Sequence, residues 1–431
     1  MVRTDFDKKV PHSEVGIFDL QVNDTLPTGT TALWICHKRY LMGLPFPNPG
    51  AHFSKAYFMT ILTLRGKVTF RNLSRYSAYS EKTYARQFAQ PFGFVAFNRQ
   101  LINQVFGPTS ERVIAFDPTF IPKAGQHTFG RHRFWTSQKN RSEKGLELSA
   151  LAIVDLGRNQ ALNLSVQQTR CAAESPHDAT LIDQYLAHIR QARPYLLASE
   201  TYLCIDGGLS RKKLIEGVCA LDLHLIGKLR CDARMRYLYD GPKRPGRGRQ
   251  KCYDGLVDWT DLSRFEEVGK DGEIYLYTAG LNHVRFGRTL RVVALINPEA
   301  DNPSQPILLF STDADLDAWK IYRYYKARFH IEFLFRDAKQ FTGLADGQMR
   351  TADQLDFDFN AALTSLNLAK AEVMAAQPTD QPALCSIASI KAQYFNQYFL
   401  DRIISIFELD PNLIKKQPEY HTLRDLGKIA A

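Results

Sequence analysis

The 431-residue chain is poor in cysteine, and its seven cysteines (Cys36, Cys171, Cys204, Cys219, Cys231, Cys252 and Cys385) are odd in number and scattered. They form no CxxC pair and no Cys/His cluster of zinc spacing, which argues against a disulfide framework and a zinc-stabilised fold; reduced thiols of a cytoplasmic protein are expected. No stretch approaches the ~18 consecutive apolar residues needed to span a bilayer, and no basic amphipathic terminus stands out, so no membrane partner is expected. Lys8 and Lys9 precede no apolar run, so no export signal is expected either. Acid is also scarce relative to base: 45 Asp and Glu against 55 Lys and Arg leave a net charge of +10, with a pI near 9.1. Such a surface attracts polyanions with salt-sensitive affinity, and nucleic acid is the natural partner. A hydrophobic share of 45% excludes disorder as the default, and a chain of this length should divide into roughly two or three domains.

Against this background one stripe stands out. Tyr325, Arg328, Glu332 and Lys339 are spaced by three, four and seven residues, which places all four on one face of a helix. The surrounding run Ile321 to Phe341 is rich in aromatic and apolar residues, so the helix should be largely buried, and a polar stripe on it calls for a partner. An ion pair between Arg328 and Glu332, four residues apart, would form on any helix. A carboxylate beside cations in a buried setting also suits metal-assisted phosphate chemistry.

The pattern Y-x2-R-x3-E-x6-K resembles the signature of the DDE insertion-sequence transposases of the YREK group, and the resemblance spans roughly Thr69 to Lys370, including Asp206 to Tyr239 and Glu332 to Gln340. It implies an RNase-H-like α/β fold, a mixed sheet flanked by helices, in which two aspartates join Glu332 at a site for two divalent metals. Arg112 to Asp117 reads as a short buried strand ending at its acid before Pro118. Leu146 to Asp155 and Ala161 to Thr169 read as strands joined by a tight turn at Gly157-Arg158-Asn159. Asp178 to Leu197 has helical spacing, Thr201 to Ile205 is a second short strand ending in Asp206, Ser210 is a candidate cap for the next helix, and His224 to Leu229 is a further strand. That order matches the fold, making Asp117 and Asp206 the missing acids. Asp155 and Asp232 also sit at strand ends, where a turn or a surface ion pair explains them.

The flanks are read from residue type. Ala56 to Leu64 reads as an apolar helix, and Asn72 to Phe88 as two short helices broken near Ser77 to Ser80, either a helix-turn-helix presenting Lys82 and Arg86 to DNA or a helical cap on the catalytic domain. Residues 1–50 carry no signal. The segment after Asp232 is too long for a simple connection. Glu273 to Thr278 and Arg288 to Ile296 suggest strands of an inserted sheet, and the family carries a β-strand insertion at this place. Within it, Lys243, Arg244, Arg247, Arg249 and Lys251 form a cationic, glycine-containing run, suited to a phosphate backbone or to a solvated loop. Asp353 to Met374 reads as a helix behind the catalytic one, and Ile390 to Phe407 as an aromatic helix with more the character of core than of interface. The division expected is 1–110 as a helical N-terminal DNA-binding region, 111–231 with 312–376 as the RNase-H-like catalytic domain, 232–311 as the β-rich insertion, and 377–431 as a helical C-terminal region.

By the same resemblance, Asp117, Asp206 and Glu332 are the expected catalytic and metal-holding residues, with two Mg2+ ions as cofactor and Mn2+ able to substitute. Arg328 and Lys339 are expected on phosphates near the scissile bond, and Tyr325 beside the terminal nucleotide. The expected partner is double-stranded DNA, both the element's terminal inverted repeats and its target, bound by a homodimer in the bacterial cytoplasm near the nucleoid. Two rivals stand beside this cut-and-paste transposase: an inactive DNA-binding derivative, and an RNase-H-like nuclease without strand transfer.

Overall fold

The computed structural model describes residues 51–136, 139–170, 179–243, 248–299, 305–378 and 381–429. Arg244, Arg247, Cys36 and Cys171 lie outside them. The chain opens with helices α1 (Ala51–Thr63), α2 (Phe70–Arg75), α3 (Glu81–Gln87) and α4 (Phe94–Val105). Thr69 and Ser80 cap α2 and α3 by accepting the amides of Asn72 and Thr83, which satisfies donors at the helix starts. Strands β1 (Arg112–Pro122), β2 (His132–Thr136), β3 (Arg141–Asp155) and β4 (Gln160–Thr169) follow, then α5 (Leu181–Ala192), β5 (Tyr202–Ile205), α6 (Lys212–Cys219) and β6 (His224–Lys228). Next come β7 (Met235–Leu238), β8 (Tyr253–Leu256), β9 (Glu266–Asp271), β10 (Ile274–His283), β11 (Arg288–Ile296) and β12 (Ile307–Ser311). The chain closes with α7 (Ala318–Ala327), α8 (His330–Phe341), α9 (Ala352–Ala375), α10 (Ile387–Ile406), α11 (Pro411–Ile414) and α12 (Pro418–Arg424).

The strands form one mixed sheet in the order β2-β3-β1-β5-β6-β12-β11-β10-β7-β8, with β4 also on β3 and β9 on β10. β3 runs antiparallel to β1 and β4, whereas β5 is parallel to β1 and β6 parallel to β5. Three antiparallel strands followed by two parallel ones, with helices between, is the RNase-H-like arrangement. The turn from β3 to β4 puts Asn159 at φ 54°, a left-handed position that asparagine tolerates.

One face of the sheet is covered by α5, whose Tyr185 and His188 meet Phe116 of β1 edge-on. His188 is fully enclosed, bonded through its two ring nitrogens to Ser149 and Ser165, and burial holds its pKa down at about 3. Alternation along β1 turns Asp117 to the opposite face from Phe116, where α8 packs on β1 and β4 and α9 packs on β4. Within that layer Asn98 of α4 accepts from Thr364 and Asn367 of α9, both at 3.1 Å, so the N-terminal helices are tied to the core by buried, satisfied amides.

Several elements depart from the sequence reading. β1 does not stop at Asp117 but continues to Pro122, because β3 pairs with it along its whole length; its parallel neighbour β5 ends opposite Phe116, so Pro118 sits where one side of the strand is no longer laddered. The inserted strands do not form a separate sheet: β11 pairs β12, and β12 pairs β6. Ser210 is not the cap of α6; its hydroxyl instead donates to the Lys228 carbonyl at 2.8 Å. α10 enters the core mainly through Ile387, Ile390 and Tyr394 of its first half, with Ile404 buried farther along, while Phe399, Ile406 and the following Phe407 are exposed.

A buried acid on α9 supplies a test of these packing relations. Asp358 is 2% exposed, its Oδ2 has no hydrogen-bond partner among the described residues, and burial pushes its pKa up to about 7 against the pull of Lys123. The folded protein therefore keeps Asp358 protonated at pH values where the unfolded chain ionises it, so stability is fullest below the unfolded carboxylate value and is lost as pH rises from about 4 towards about 7. Asp358→Asn removes that titration. Its melting temperature is expected to exceed wild type at pH 8 and not at pH 4; an equal difference at both values would refute the assignment.

Candidate active site

Asp117 and Asp206 are neighbours because of strand register. Phe116 and Ile205 are paired across the parallel β1/β5 ladder, and each acid is the next residue, on strands ~4.8 Å apart. Asp206 directly follows β5 in extended conformation and caps the short turn Gly207–Leu209, its carboxylate accepting the Gly208 amide at 3.3 Å. It is exposed, Asp117 half-buried.

The third side is α7 and α8. These are not one continuous helix: Arg328 and Phe329 form a tight turn between them, with Ile331 bonding back to the Arg328 carbonyl and Glu332 to that of Phe329. Bonds of three-residue reach tighten the chain locally. The stripe survives the break, since Arg328 Nη2 lies 3.2 Å from Glu332 and 3.9 Å from Asp206. The Arg328 guanidinium is buried and sits 5.5 Å from the centre of the Tyr325 ring.

The electrostatics couple all of these groups. Burial pushes the Asp117 carboxyl up to about 7; Arg328 pulls it down, while Glu332, Asp206 and Glu147 push it further up. Burial works against the charge of Arg328, but Tyr325, Asp117, Asp206 and Glu332 outweigh it and hold the guanidinium above its usual value. Lys339, two turns along α8, donates to Thr119 Oγ1 at 2.9 Å and to the Phe120 carbonyl at 3.1 Å, and burial lowers its pKa. Asp117, Asp206, Glu332, Arg328 and Tyr325 are thus brought together, with Lys339 anchored to the same strand just beyond Asp117.

The other singled-out residues lie elsewhere. Lys82 and Arg86 are on α3, which Gln354 of α9 holds by donating to the Ala85 carbonyl. Lys243 and Arg249 are exposed, and Lys251 pairs with Asp254 at 2.6 Å and lies over the Tyr239 ring. Asp155 closes the β3/β4 turn by accepting the Arg158 amide, and Asp232 pairs with Arg230 at the surface. Sequence reasoning missed Glu147, a buried acid of β3 on the α5 face of the sheet, held by Thr169 and Tyr185, each at 2.7 Å. Its signal was there, a carboxylate between Leu146 and Leu148 in the apolar part of β3.

Among the described residues no three His, Cys, Asp or Glu side chains are gathered closely enough to form a ready metal cluster. The donor chemistry nevertheless fits a hard cation: Asp117, Asp206 and Glu332 offer carboxylate oxygens, and a divalent ion would oppose the burial and the neighbouring negative charge that push the Asp117 carboxyl up. Arg328 contributes positive charge to the same cluster.

A model of the transposase DDE domain matches residues 108–368, which contain every residue of this cluster. The chain belongs to the transposase DDE domain family. It is therefore a DNA transposase by family, an enzyme class that acts on DNA and generally uses divalent metal ions. No match was found among curated protein sequences. Among solved structures, the cryo-EM structure of a piggyBac transposase synaptic complex with hairpin DNA is similar with a TM-score of 0.39 and 13% identity, over 91% of this chain and 84% of that one. No helix among the described residues is long and apolar enough to cross a membrane.

Proposed function

We propose that this protein is the transposase of a YREK-type insertion sequence, which binds the ends of its element, cuts them and joins them to target DNA. The observation that carries the reading is the convergence of Asp117, Asp206 and Glu332 around Arg328, where the parallel pairing of β1 and β5 ends and against a helix. The carboxyl end of a parallel ladder is where α/β sheets place their chemistry. Two Mg2+ ions held by these three carboxylates, with Mn2+ as a substitute, would neutralise the scissile phosphate and activate a water or a 3′ hydroxyl.

The chain's own groups do the positioning. Arg328 offers a planar fork suited to phosphate oxygens, Lys339 a point charge, and Tyr325 a ring and hydroxyl for the terminal nucleotide. Lys82, Arg86, Lys243, Arg244, Arg247, Arg249 and Lys251 would contact DNA farther out, the first two from an N-terminal region over 1–110 and the rest from an insertion over 232–311. The proposed catalytic domain is 111–231 with 312–376. The active form is a homodimer on paired ends in the bacterial cytoplasm.

The test is incubation with duplex DNA from either side of the gene, in Mg2+, read on a denaturing gel together with a supercoiled target. Cuts at the element ends and joined products are expected. Cuts without joined products would favour a nuclease, and binding with no cutting in Mg2+ or Mn2+ an inactive DNA-binding derivative.

A further inference from the structure

Beyond Lys339 the surface opens into a cleft of ≈ 580 Å³ between the end of α1, the end of α8 and the start of α10. Arg65, Lys67, Lys339 and Lys391 line it against a single acid, Asp346. Asp346 is already engaged, its Oδ2 accepting the Val68 amide at 2.9 Å. Lys391 donates to the carbonyls of Ile61 at 3.0 Å and Phe341 at 2.7 Å, and burial pulls its pKa down to about 8. Among the described residues, Lys339 likewise has only neutral oxygens of Thr119 and Phe120 as hydrogen-bond partners. Asp346 offsets part of the burial of Lys391, but two desolvated ammonium groups bonded to neutral oxygens at one cleft with a single nearby carboxylate remain costly, and a further anion would relieve both. Arg65 completes the set: its guanidinium lies 3.9 Å from the centre of the Phe395 ring, and stacking leaves the N–H edge of the plane for oxygen acceptors.

We propose that this cleft seats the phosphodiester backbone of the DNA strand that runs on from the carboxylates, with Arg65, Lys67 and Lys391 extending the contact begun at Lys339. The proposal rests on the transposase reading above and adds residues from outside the YREK stripe. Lys339 is seven residues from Glu332 on α8, a rise of about 10 Å, or roughly three nucleotide steps of a stacked strand. The cleft therefore takes phosphates from about the third step outward. Its acid-poor lining matches a repeating anion, and its open side admits a chain.

The experiment compares wild type with the double substitution Arg65→Ala and Lys67→Ala, both on exposed positions, by fluorescence anisotropy over a salt series. The probe is a duplex carrying one end of the element, and the same duplex with neutral methylphosphonates around the third to fifth steps from the scissile position. Loss of two phosphate contacts should lower the slope of log affinity on log salt by about 1.8, and the methylphosphonate duplex should weaken wild type while leaving the double variant nearly unaffected. An unchanged slope, or an equal methylphosphonate effect in both proteins, overturns the proposal while leaving the transposase reading intact. Failure of wild type to bind the ends at all would remove both.

Discussion

Glu332→Gln should abolish end cleavage while leaving DNA binding intact. The substitution keeps the length of the side chain and its place on α8, but removes one of three carboxylates around Arg328, which lies 3.2 Å from Glu332. Losing several kcal/mol of charge stabilisation at the reacting phosphate corresponds to a rate fall on the order of 10³-fold or more. Binding should hold or tighten, because a negative charge facing a polyanion is gone. Single-turnover cleavage and anisotropy on the same duplex separate the two effects. Retained cleavage within tenfold of wild type would remove Glu332 from the chemistry. Asp206→Asn should behave in the same way, being exposed and free to change without disturbing the core.

The largest stability effect is expected far from that site, at Glu200. This acid is fully buried and lies where α4, β1 and the loop before β5 meet. Its two oxygens take Arg99 at 2.9 and 2.7 Å, Arg112 at 3.4 Å and the Leu197 amide at 3.0 Å. Burial pulls the Arg99 pKa down, and Glu200 works against that pull. Glu200→Ala would strand two cations away from water, a loss of about 3–5 kcal/mol. Thermal or urea unfolding should show a melting temperature several degrees below wild type, and replacement of Arg99 and Glu200 together by Met and Leu should recover part of the loss. A change within one degree for Glu200→Ala would mean that the buried pair contributes little.

Much of the catalytic fold was legible because its strands are short, apolar and punctuated. The run from Leu146 to Thr169, broken only at Gly157-Arg158-Asn159, became β3 and β4 with that turn between them. Asp117 and Asp206 could be placed because a short apolar run stops at each. What was not legible depends on partners distant in sequence. The continuation of β1 past Pro118 exists because β3 is there to pair with it, and nothing local announces that. α4 carries Phe94, Phe97, Leu101, Ile102 and Val105 on its buried side, a helical spacing that went unread beside the glycine and proline before it. The stripe on α7 and α8 was identified by spacing, but the tight turn at Arg328 and Phe329 was not, because both residues keep helical angles and differ only in which carbonyl the next amides reach.

The continuity of the sheet sets a length scale. From β1, which carries Asp117, to β10 there are five steps through β5, β6, β12 and β11, which at ~4.8 Å per strand is about 24 Å. Since neighbouring strands are hydrogen-bonded along this path, β10 and β11 are held in the same sheet as Asp117 and have no hinge between them and it. On the proposed reading, B-form DNA at 3.4 Å per base pair laid along the sheet would cover about seven base pairs between the cut and β10. The sheet would then act as a ruler for the contacts proposed for residues 232–311.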